Sequence, residues 1–401
     1  MNALFEKRRR FLQMGAAGLA CFLAGGFSRH AQAADAAAFD SLSRIGPLQA
    51  ADHNGIMLPA GFKSRVVARS SERPVVNSAY RWHASPDGGA CFATADGGWI
   101  YVSNSEENRG QGGVGALRFN AMGEVVDAYP ILQNTSRNCA GGATPWGTWL
   151  SCEEFDRGQV YECDPLGIEQ AVVRPALGTF EHEAVAIDLA NNCAYLTEDV
   201  RDGGLYRFVS EKGLPDLSAG RLEIASVVNS SGVETIEWLE VPDPLANRDA
   251  TRHQVQGAAA FNGGEGIALH ENKLYFVTKG DNRVWCYDTI DQSIEVIYDA
   301  TTSDNPILTG VDNIVISPAG DVLVAEDGGD MQIVIITPDY ETIPLLQILG
   351  QDESEICGPA FDPSCQRLYF SSQNGVTGEG SAGITYEISR TGGKSIAVVA
   401  G

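Results

Sequence analysis

The chain has 401 residues, carries a formal net charge of −24 at pH 7, and is 44% hydrophobic. So acidic a surface is repelled by nucleic acid and by anionic lipid, and it suits a protein that binds cations. The length suffices for one large domain with a sizeable core.

The first 33 residues resemble a signal peptide for twin-arginine export. Lys7-Arg8-Arg9-Arg10 precedes a weakly apolar segment at 14–27, and Ala31-Gln32-Ala33 matches a small-x-small cleavage site. The apolar segment is too short and too rich in glycine for a stable membrane anchor. Cleavage removes five basic residues and one acidic residue, so the net charge becomes −28. We therefore expect a periplasmic or secreted protein without a membrane anchor, whose partner during export is the twin-arginine translocase.

Eight cysteines remain after cleavage, at positions 91, 139, 152, 163, 193, 286, 357 and 365. An even number in an exported protein is compatible with disulfides, but no compact framework such as C-x-x-C appears. Several of these cysteines lie in apolar strand-like runs, where buried thiols are common. The sequence therefore supports no particular pairing.

Six similar units of short apolar strands and glycine-rich turns follow one another along the chain. They begin near Cys91, Cys139, Glu183, Glu265, Asn313 and Gly358, and most successive units start 44 to 48 residues apart. This period, with several short strands per unit, is typical of a β-propeller. We predict an all-β fold, a six-bladed β-propeller that spans residues 34–401 with an insertion at about 210–261. Five or seven blades are the alternatives.

A strand-like segment at 64–69 precedes the first unit. We expect it to complete the last blade beside residues 394–399. Such pairing would close the ring and remove its free sheet edges.

Residues 137–154 carry the most informative motif, RNCAGGATPWGTWLSCEE. Cys139 begins a small-residue turn, and the apolar run at 146–150 is typical of a buried strand. Glu153 and Glu154 end that run, and because neighbouring strand residues point to opposite faces, one of them would face a central site. A thiolate beside a carboxylate suits a transition metal with mixed ligands. The alternative is a core turn in which Cys139 is a small buried hydrophobe.

In a propeller, residues at equivalent ends of successive blades converge on the mouth of the central channel. The converging candidates are Asn104, Glu106, Cys139, Glu153, Glu154, His182, Glu183, Glu198, Asp199, Glu265, Asp312, Asn313, Glu326 and Asp327. So many carboxylates are costly to desolvate unless cations neutralise them. Oxygen ligands favour calcium, and Cys139 also admits iron or zinc. Some of these residues, such as Asp327, have a solvated turn as the alternative.

Three motifs resemble the signature of the PhoX family of bacterial alkaline phosphatases: residues 138–149 with the acids at 153 and 154, residues 182–186 with 196–199, and the Glu265-Gly266 turn. The resemblance covers most of the mature chain. It implies a six-bladed propeller that hydrolyses phosphate monoesters with a buried iron–calcium cluster. By motif, Cys139 is similar to the iron-ligating cysteine, and the carboxylate ligands correspond to Glu153, Glu154, Glu183 and Glu265. Weaker matches are Asn104, Glu106, Asp312, Asn313 and Glu326.

The sequence departs from the family pattern at Gly263. The family often has an arginine two positions before the Glu-Gly pair, where it would contact phosphate, and Gly263 leaves that bidentate donor missing. Arg137 or Arg201 could substitute, and the alternative for each is a solvent-facing charge. We predict Arg137 and Glu265 as the catalytic residues.

Three functions are compatible with these features. The first is a secreted metal-dependent phosphatase that uses iron and calcium to hydrolyse a small phosphate ester and acts as a monomer. The second is a calcium-dependent hydrolase of the lactonase type, which would need one divalent ion and would be indifferent to Cys139. The third is a non-catalytic calcium-binding propeller. A Ser-His-Asp hydrolase is disfavoured because the sequence has no G-x-S-x-G elbow.

Overall fold

Six small antiparallel sheets contain all the strands of a computed structural model that describes residues 41–392 and residue 396. The innermost strands of the six sheets contact one another in a closed circle. The predicted all-β, six-bladed β-propeller is therefore confirmed.

Each sheet is one blade, and its strands follow one another in chain order, except for an N-terminal strand at the outer edge of the last two blades. The two N-terminal strands are β1 (Ile56–Met57) and β2 (Phe62–Arg69). Blade 1 contains β3 (Pro86–Ala93), β4 (Trp99–Ser105), β5 (Gly112–Phe119) and β6 (Val125–Thr135). Blade 2 contains β7 (Asn138–Ala143), β8 (Trp149–Glu153), β9 (Val160–Cys163) and β10 (Val172–Val173). Blade 3 contains β11 (His182–Asp188), β12 (Cys193–Glu198), β13 (Leu205–Ser210), β14 (Gly220–Ser230) and β15 (Val233–Glu240).

The second half of the ring has the same plan. Blade 4 contains β16 (Gly264–His270), β17 (Lys273–Thr278), β18 (Arg283–Asp288) and β19 (Ile294–Asp299). Blade 5 contains β20 (Val311–Ile316), β21 (Val322–Glu326), β22 (Gln332–Ile336) and β23 (Thr342–Ile348). Blade 6 contains β24 (Ile356–Phe361), β25 (Arg367–Ser372) and β26 (Ile384–Arg390). The described helices are single 3-10 turns at Leu42–Arg44, Pro175–Leu177, Thr251–His253, Gly375–Thr377 and Gly380–Ala382.

The N-terminal strands complete the last two blades. β2 is the outermost strand of blade 6 and pairs antiparallel with β26, and β1 pairs with β23 of blade 5. Ring closure by the N-terminal segment is as expected, and the strand that β2 pairs with in the described residues is Ile384–Arg390. Most of 394–399 lies outside the described residues.

Six hydrophobic clusters hold the blades together, one in each gap between neighbouring blades. Leu150 of blade 2 and Leu196 of blade 3, for example, are both fully buried in one such gap. Full burial of a leucine stabilises the fold by about 1.5–3 kcal/mol relative to exposure. The alternating apolar residues of each strand thus fix the blades against each other and hold their inner ends in place.

The innermost strands lie so close together that they need residues without side chains. A Cβ on Gly141 would lie 1.9 Å from the carbonyl oxygen of Leu150, and one on Gly142 would lie 1.9 Å from that of Val185. Gly142 thus lets blade 2 approach blade 3, which explains why small residues follow Cys139. At one end of the channel, mostly small and apolar residues line an open cavity of about 530 Å³.

All eight cysteines in the described part of the chain are free thiols. No helix between residues 41 and 392 has the length and apolar character that a membrane span requires.

Candidate functional site

The second residue of the innermost strand in every blade belongs to one cluster, which we call the inner ring. The register of β3, β7, β11, β16 and β20 shifts at this residue, and that of β24 shifts directly after it. Such bulges re-aim side chains at the ends of strands. The inner ring consists of Asp87, Cys139, Glu183, Glu265, Asp312 and Cys357.

A second set of six residues follows directly after the second strand of each blade, and we call it the outer ring. It consists of Glu106, Glu154, Asp199, Lys279, Asp327 and Gln373. The outer ring is closer to solvent, since the side chain of Lys279 is 35% exposed whereas that of Glu265 is 2% exposed. Eight of the twelve ring positions carry a carboxyl group.

Four groups in and beside these rings bring three ligand atoms within 4.8 Å of one another. The first two are Asp87–Glu106–Cys139 and Cys139–Glu154–Glu183. The other two are Glu183–Glu265–Asp312 and Asp87–Glu355–Cys357. The groups share Asp87, Cys139 and Glu183, so the chain offers a row of neighbouring sites for cations.

Hydrogen bonds from neutral groups hold part of the cluster in place. The amide Nε2 of Gln373 donates to Oδ2 of Asp87 at 2.7 Å and to Oε2 of Glu106 at 3.0 Å. The thiol of Cys139 lies 3.7 Å from Oδ2 of Asp87. Asn313 donates to Oδ1 of Asp312 at 3.0 Å. These contacts leave other carboxylate oxygens of the rings without a donor.

Glu183 is the clearest case of a missing partner. Its side chain is fully buried, and neither of its carboxylate oxygens has a hydrogen-bond partner among the described residues. A buried ionised carboxylate without a partner costs several kcal/mol, and cations or protons are the usual remedy. Calcium prefers carboxylate oxygens, and the thiols of Cys139 and Cys357 add donors that suit iron or zinc. The donor set therefore fits bound metal ions.

The pKa values of the ring residues reflect this crowding. Burial, followed by the charge of Glu265, raises the pKa of Glu183 well above its ordinary value. Burial also raises the pKa of Glu154 to about 8 and that of Asp312 to about 7. Burial and the neighbouring carboxylate of Asp87 raise the pKa of the Cys139 thiol. Without metal, protonation of these groups therefore reduces the negative charge of the cluster.

Two basic side chains stand at the mouth of the channel. Arg137 lies 2.8 Å from Glu154 and 3.5 Å from Glu106, and its side chain is 33% exposed. Lys279 lies beside Gly263, because its backbone N–H donates to the Gly263 carbonyl at 2.8 Å. Gly263, where the sequence departs from the family arginine, has φ +71°, a conformation that favours glycine.

The structure places six of the predicted ligands in the four groups that could hold a cation: Glu106, Cys139, Glu154, Glu183, Glu265 and Asp312. Arg137 and Glu265, which we predicted as catalytic, both lie at the cluster. Arg201, the other arginine considered, has no ion pair among the described residues with any ring carboxylate.

Glu153 and Glu326 do not join these groups, because their carboxylates accept hydrogen bonds from the backbone of nearby loops and strands. Glu153 accepts from the N–H groups of Ser136 at 3.0 Å and Gln159 at 3.3 Å. Glu326 accepts from those of Thr309 at 2.7 Å and Gln332 at 2.9 Å. Both are the last residue of the second strand. Their recurrence along the sequence reflects a repeated loop-binding role.

Asn104 and Asn313 also lie outside the groups and serve as links between blades. Asn104 donates to the carbonyl oxygens of Cys139 at 3.0 Å and Ala140 at 2.7 Å, and its own oxygen accepts from Trp149 and Ser151. Asn313 accepts from the N–H group of Gly358 in the next blade at 2.8 Å. Both amides therefore position ligand residues without a free oxygen for a cation.

Sequence reasoning missed five residues of the site: Asp87, Lys279, Glu355, Cys357 and Gln373. A signal for two of them was present, since Asp87 and Cys357 are each followed by glycine, as Glu265 is. The small residue after the ligand marks the innermost strand at its closest approach to the next blade.

Comparisons with known proteins agree with this architecture. A family model described as alkaline phosphatase PhoX matches residues 94–161 and 156–306, which is more than half of the chain. No curated protein sequence matches the chain. The solved structure of Pseudomonas fluorescens PhoX in complex with vanadate, a transition state analogue, is similar with a TM-score of 0.72 at 16% identity, over 90% of this chain and 99% of that chain.

Two more distant structures are also similar. A protein of unknown function from Bacteroides thetaiotaomicron has a TM-score of 0.52 at 9% identity, over 82% of this chain and 76% of that chain. A gluconolactonase from Xanthomonas campestris covers 86% of this chain and 98% of that chain at 14% identity. Its TM-score of 0.47 is too low for any structural inference. At these identities the likenesses show the propeller fold alone.

Proposed function

The chain belongs to the alkaline phosphatase PhoX family, and from this membership we propose that it hydrolyses phosphate monoesters with an iron–calcium cluster held at the channel mouth. The observation that carries the proposal is the buried carboxylate of Glu183, both of whose oxygens lack a partner among the described residues. It lies between Cys139 and Glu154 on one side and Glu265 and Asp312 on the other. Such a position calls for cations on both sides.

The ligand types suggest how two kinds of metal would be divided. Cys139 supplies the soft donor that iron prefers, together with Asp87, Glu106, Glu154 and Glu183. Glu183, Glu265 and Asp312 form an all-oxygen group, which suits calcium. Bound cations would offset the charge of the phosphate oxygens and the charge that develops in the transition state.

The protein's own residues would then bind and orient the ester. Arg137 can direct two N–H donors at one phosphoryl group, which adds geometric specificity. Its guanidinium is held in place by Glu154 and Glu106, and the side chain as a whole is one-third exposed. Glu265 is buried in the inner ring, so we assign it to metal binding. Arg137 is the residue that we assign to substrate contact.

Metal analysis followed by a phosphatase assay tests the proposal. We expect iron together with calcium in the purified protein, hydrolysis of a generic aryl phosphate, and loss of both metal and turnover in Glu183→Gln. A protein with calcium but no iron, whose activity is indifferent to Cys139, would contradict the proposal and favour a lactonase-type or binding propeller.

The cellular setting is part of the same proposal. We propose that residues 1–33 direct export by the twin-arginine translocase and that the mature protein acts as a periplasmic or secreted monomer. The motif at 7–13 and the cleavage pattern at 31–33 support export. These residues lie outside the described part of the chain. Fractionation of cells that express the full chain, with and without Arg8→Lys and Arg9→Lys, checks this.

A further inference from the structure

Lys279 is the one basic residue of the two rings. Its Nζ atom lies 2.8 Å from Oε1 of Glu265 and 3.1 Å from Oδ2 of Asp327. The residue follows directly after β17, at the outer-ring position where blades 2, 3 and 5 have Glu154, Asp199 and Asp327. Blade 4 thus contributes a positive charge where its neighbours contribute negative ones.

The two contacts of Lys279 differ in kind. The contact with Asp327 has hydrogen-bond geometry, whereas Oε1 of Glu265, although close, has no hydrogen-bond partner among the described residues. That oxygen belongs to the Glu183–Glu265–Asp312 group. A cation bound by this group would compete with the ammonium of Lys279 for Glu265. An ammonium has three N–H donors, and its contacts with Glu265 and Asp327 leave one for another acceptor.

The position of Lys279 suits an anionic acceptor that arrives from solvent. Its side chain is 35% exposed, and that of Arg137 on the other side of the channel mouth is 33% exposed. The inner-ring carboxylates below them are almost fully buried. An anion that enters the mouth therefore meets these two positive groups at the level of the outer ring.

We propose that Lys279 is a substrate-binding residue whose ammonium binds a non-bridging oxygen of the phosphoryl group, across the channel mouth from Arg137. The proposal rests on the proposed phosphatase function and adds a residue to its substrate site. Lysine binds phosphate as a point charge, without the fixed fork of arginine. A second role for Lys279 would be that of a permanent counter-ion that takes the place of a metal ion beside Glu265 and Asp327, and the experiment separates the two roles.

The test measures binding of inorganic phosphate to the metal-loaded protein by titration calorimetry. Lys279→Gln keeps a polar side chain of similar length and removes the charge, and Lys279→Arg keeps the charge. The matched control is Lys273→Gln, which removes a lysine from the other end of the same strand, where it pairs with Asp288 at 2.8 Å. Metal content and the melting temperature are recorded for every variant.

We expect Lys279→Gln to raise the Kd for phosphate about 10- to 100-fold with unchanged metal content, as for loss of a charge-assisted hydrogen bond. Lys279→Arg should keep most of the affinity, and Lys273→Gln should match the wild type. Unchanged phosphate affinity in Lys279→Gln would overturn the proposal. So would one additional bound cation per chain in that variant, because Lys279 would then be a counter-ion.

Hydrolysis by the wild type is measured separately, so that the two proposals fail in different ways. An inactive wild type that binds phosphate through Lys279 would refute the phosphatase function and leave the anion site standing. An active wild type whose phosphate affinity and KM are unaffected by Lys279→Gln would refute the role of Lys279 alone.

Discussion

Glu153 and Glu154 are consecutive residues whose carboxylates serve different partners. Glu153 accepts hydrogen bonds from the backbone N–H groups of two loop residues, whereas Glu154 lies with Cys139 and Glu183 in the channel and pairs with Arg137 at 2.8 Å. The strand β8 ends between them, so one residue faces the loops and the next faces the cluster. We therefore expect Glu153 to contribute to stability and Glu154 to the proposed metal binding.

Glu153→Gln and Glu154→Gln should have opposite effects. Glu153→Gln weakens two hydrogen bonds to a buried charged acceptor, so we expect it to lower the free energy of unfolding by about 1–3 kcal/mol with full metal content. Glu154→Gln should lower metal content with little loss of stability in the metal-free protein. Urea denaturation and metal analysis of both variants check this. Equal metal loss in the two variants would contradict the assignment.

Removal of the Cys139 thiol should abolish iron binding. We expect Cys139→Ala to lose iron and to lower kcat/KM for an aryl phosphate by more than about 100-fold, because the soft ligand is gone. Cys91→Ala, a half-buried cysteine on the neighbouring innermost strand, is the control and should retain both. Iron content by mass spectrometry and the initial hydrolysis rate are the measurements. Iron retained in Cys139→Ala would disprove the ligand role.

The metal-free protein should lose stability as the pH rises from about 5 to about 8. Glu154 and Asp312 have folded-state pKa values of about 8 and about 7, above the ordinary values of 4.5 and 3.8. In this range the folded state holds more protons than the unfolded state, so the free energy of unfolding falls with pH, by about 1.4 kcal/mol per pKa unit for each group.

Thermal unfolding of chelated protein across this pH range measures the effect. Glu183→Gln should reduce the slope, because it removes one of the buried acids. Addition of metal should flatten or reverse the slope, since metal binds the deprotonated ligands. A melting temperature of the chelated protein that rises between about pH 5 and 8 would be the opposite result.

Gly142→Ala should destabilise the propeller at the approach of blade 2 to blade 3. The added Cβ would lie 1.9 Å from the carbonyl oxygen of Val185, so backbone must move, and we expect a loss of at least about 3 kcal/mol. Gly147→Ala is the control, because its Cβ would meet nothing within 4 Å and only its φ of +88° is unfavourable, at about 1–2 kcal/mol. Guanidinium denaturation measures the free energy of unfolding of both variants. A larger loss in Gly147→Ala than in Gly142→Ala would contradict the role of the close approach.

The propeller fold could be predicted because the same sequence pattern recurs in six units along the chain. Every unit carries short apolar strands and a glycine-rich turn, so errors in single strands do not change the fold class. The closing strand was also foreseeable, whereas its partner was not. The segments 384–390 and 394–399 are both apolar enough to pair, and the register depends on contacts with β25 that the sequence does not display.

The site was harder to predict because a bulge lies at each ligand. Fixed spacing aligned Asn313 and Gly358 with Cys139, one residue beyond Asp312 and Cys357. A register shift of one residue moves every side chain to the other face. Glu153 and Glu326 also recur at this spacing, but for a different reason. Their carboxylates accept hydrogen bonds from backbone N–H groups of loop residues. Which of two adjacent acids faces the channel is set by where the strand ends.

The pairing of β2 with β26 brings residues near both ends of the described chain into one sheet. Blade 6 also supplies Cys357 and Gln373, and its sheet is incomplete until β26 has been synthesised and has met β2. A ribosome that has produced only the first five blades has therefore made a ring with a gap, in which the cluster lacks one side. The proposed metal loading would follow the synthesis of blade 6, because Cys357 and Gln373 do not exist before it.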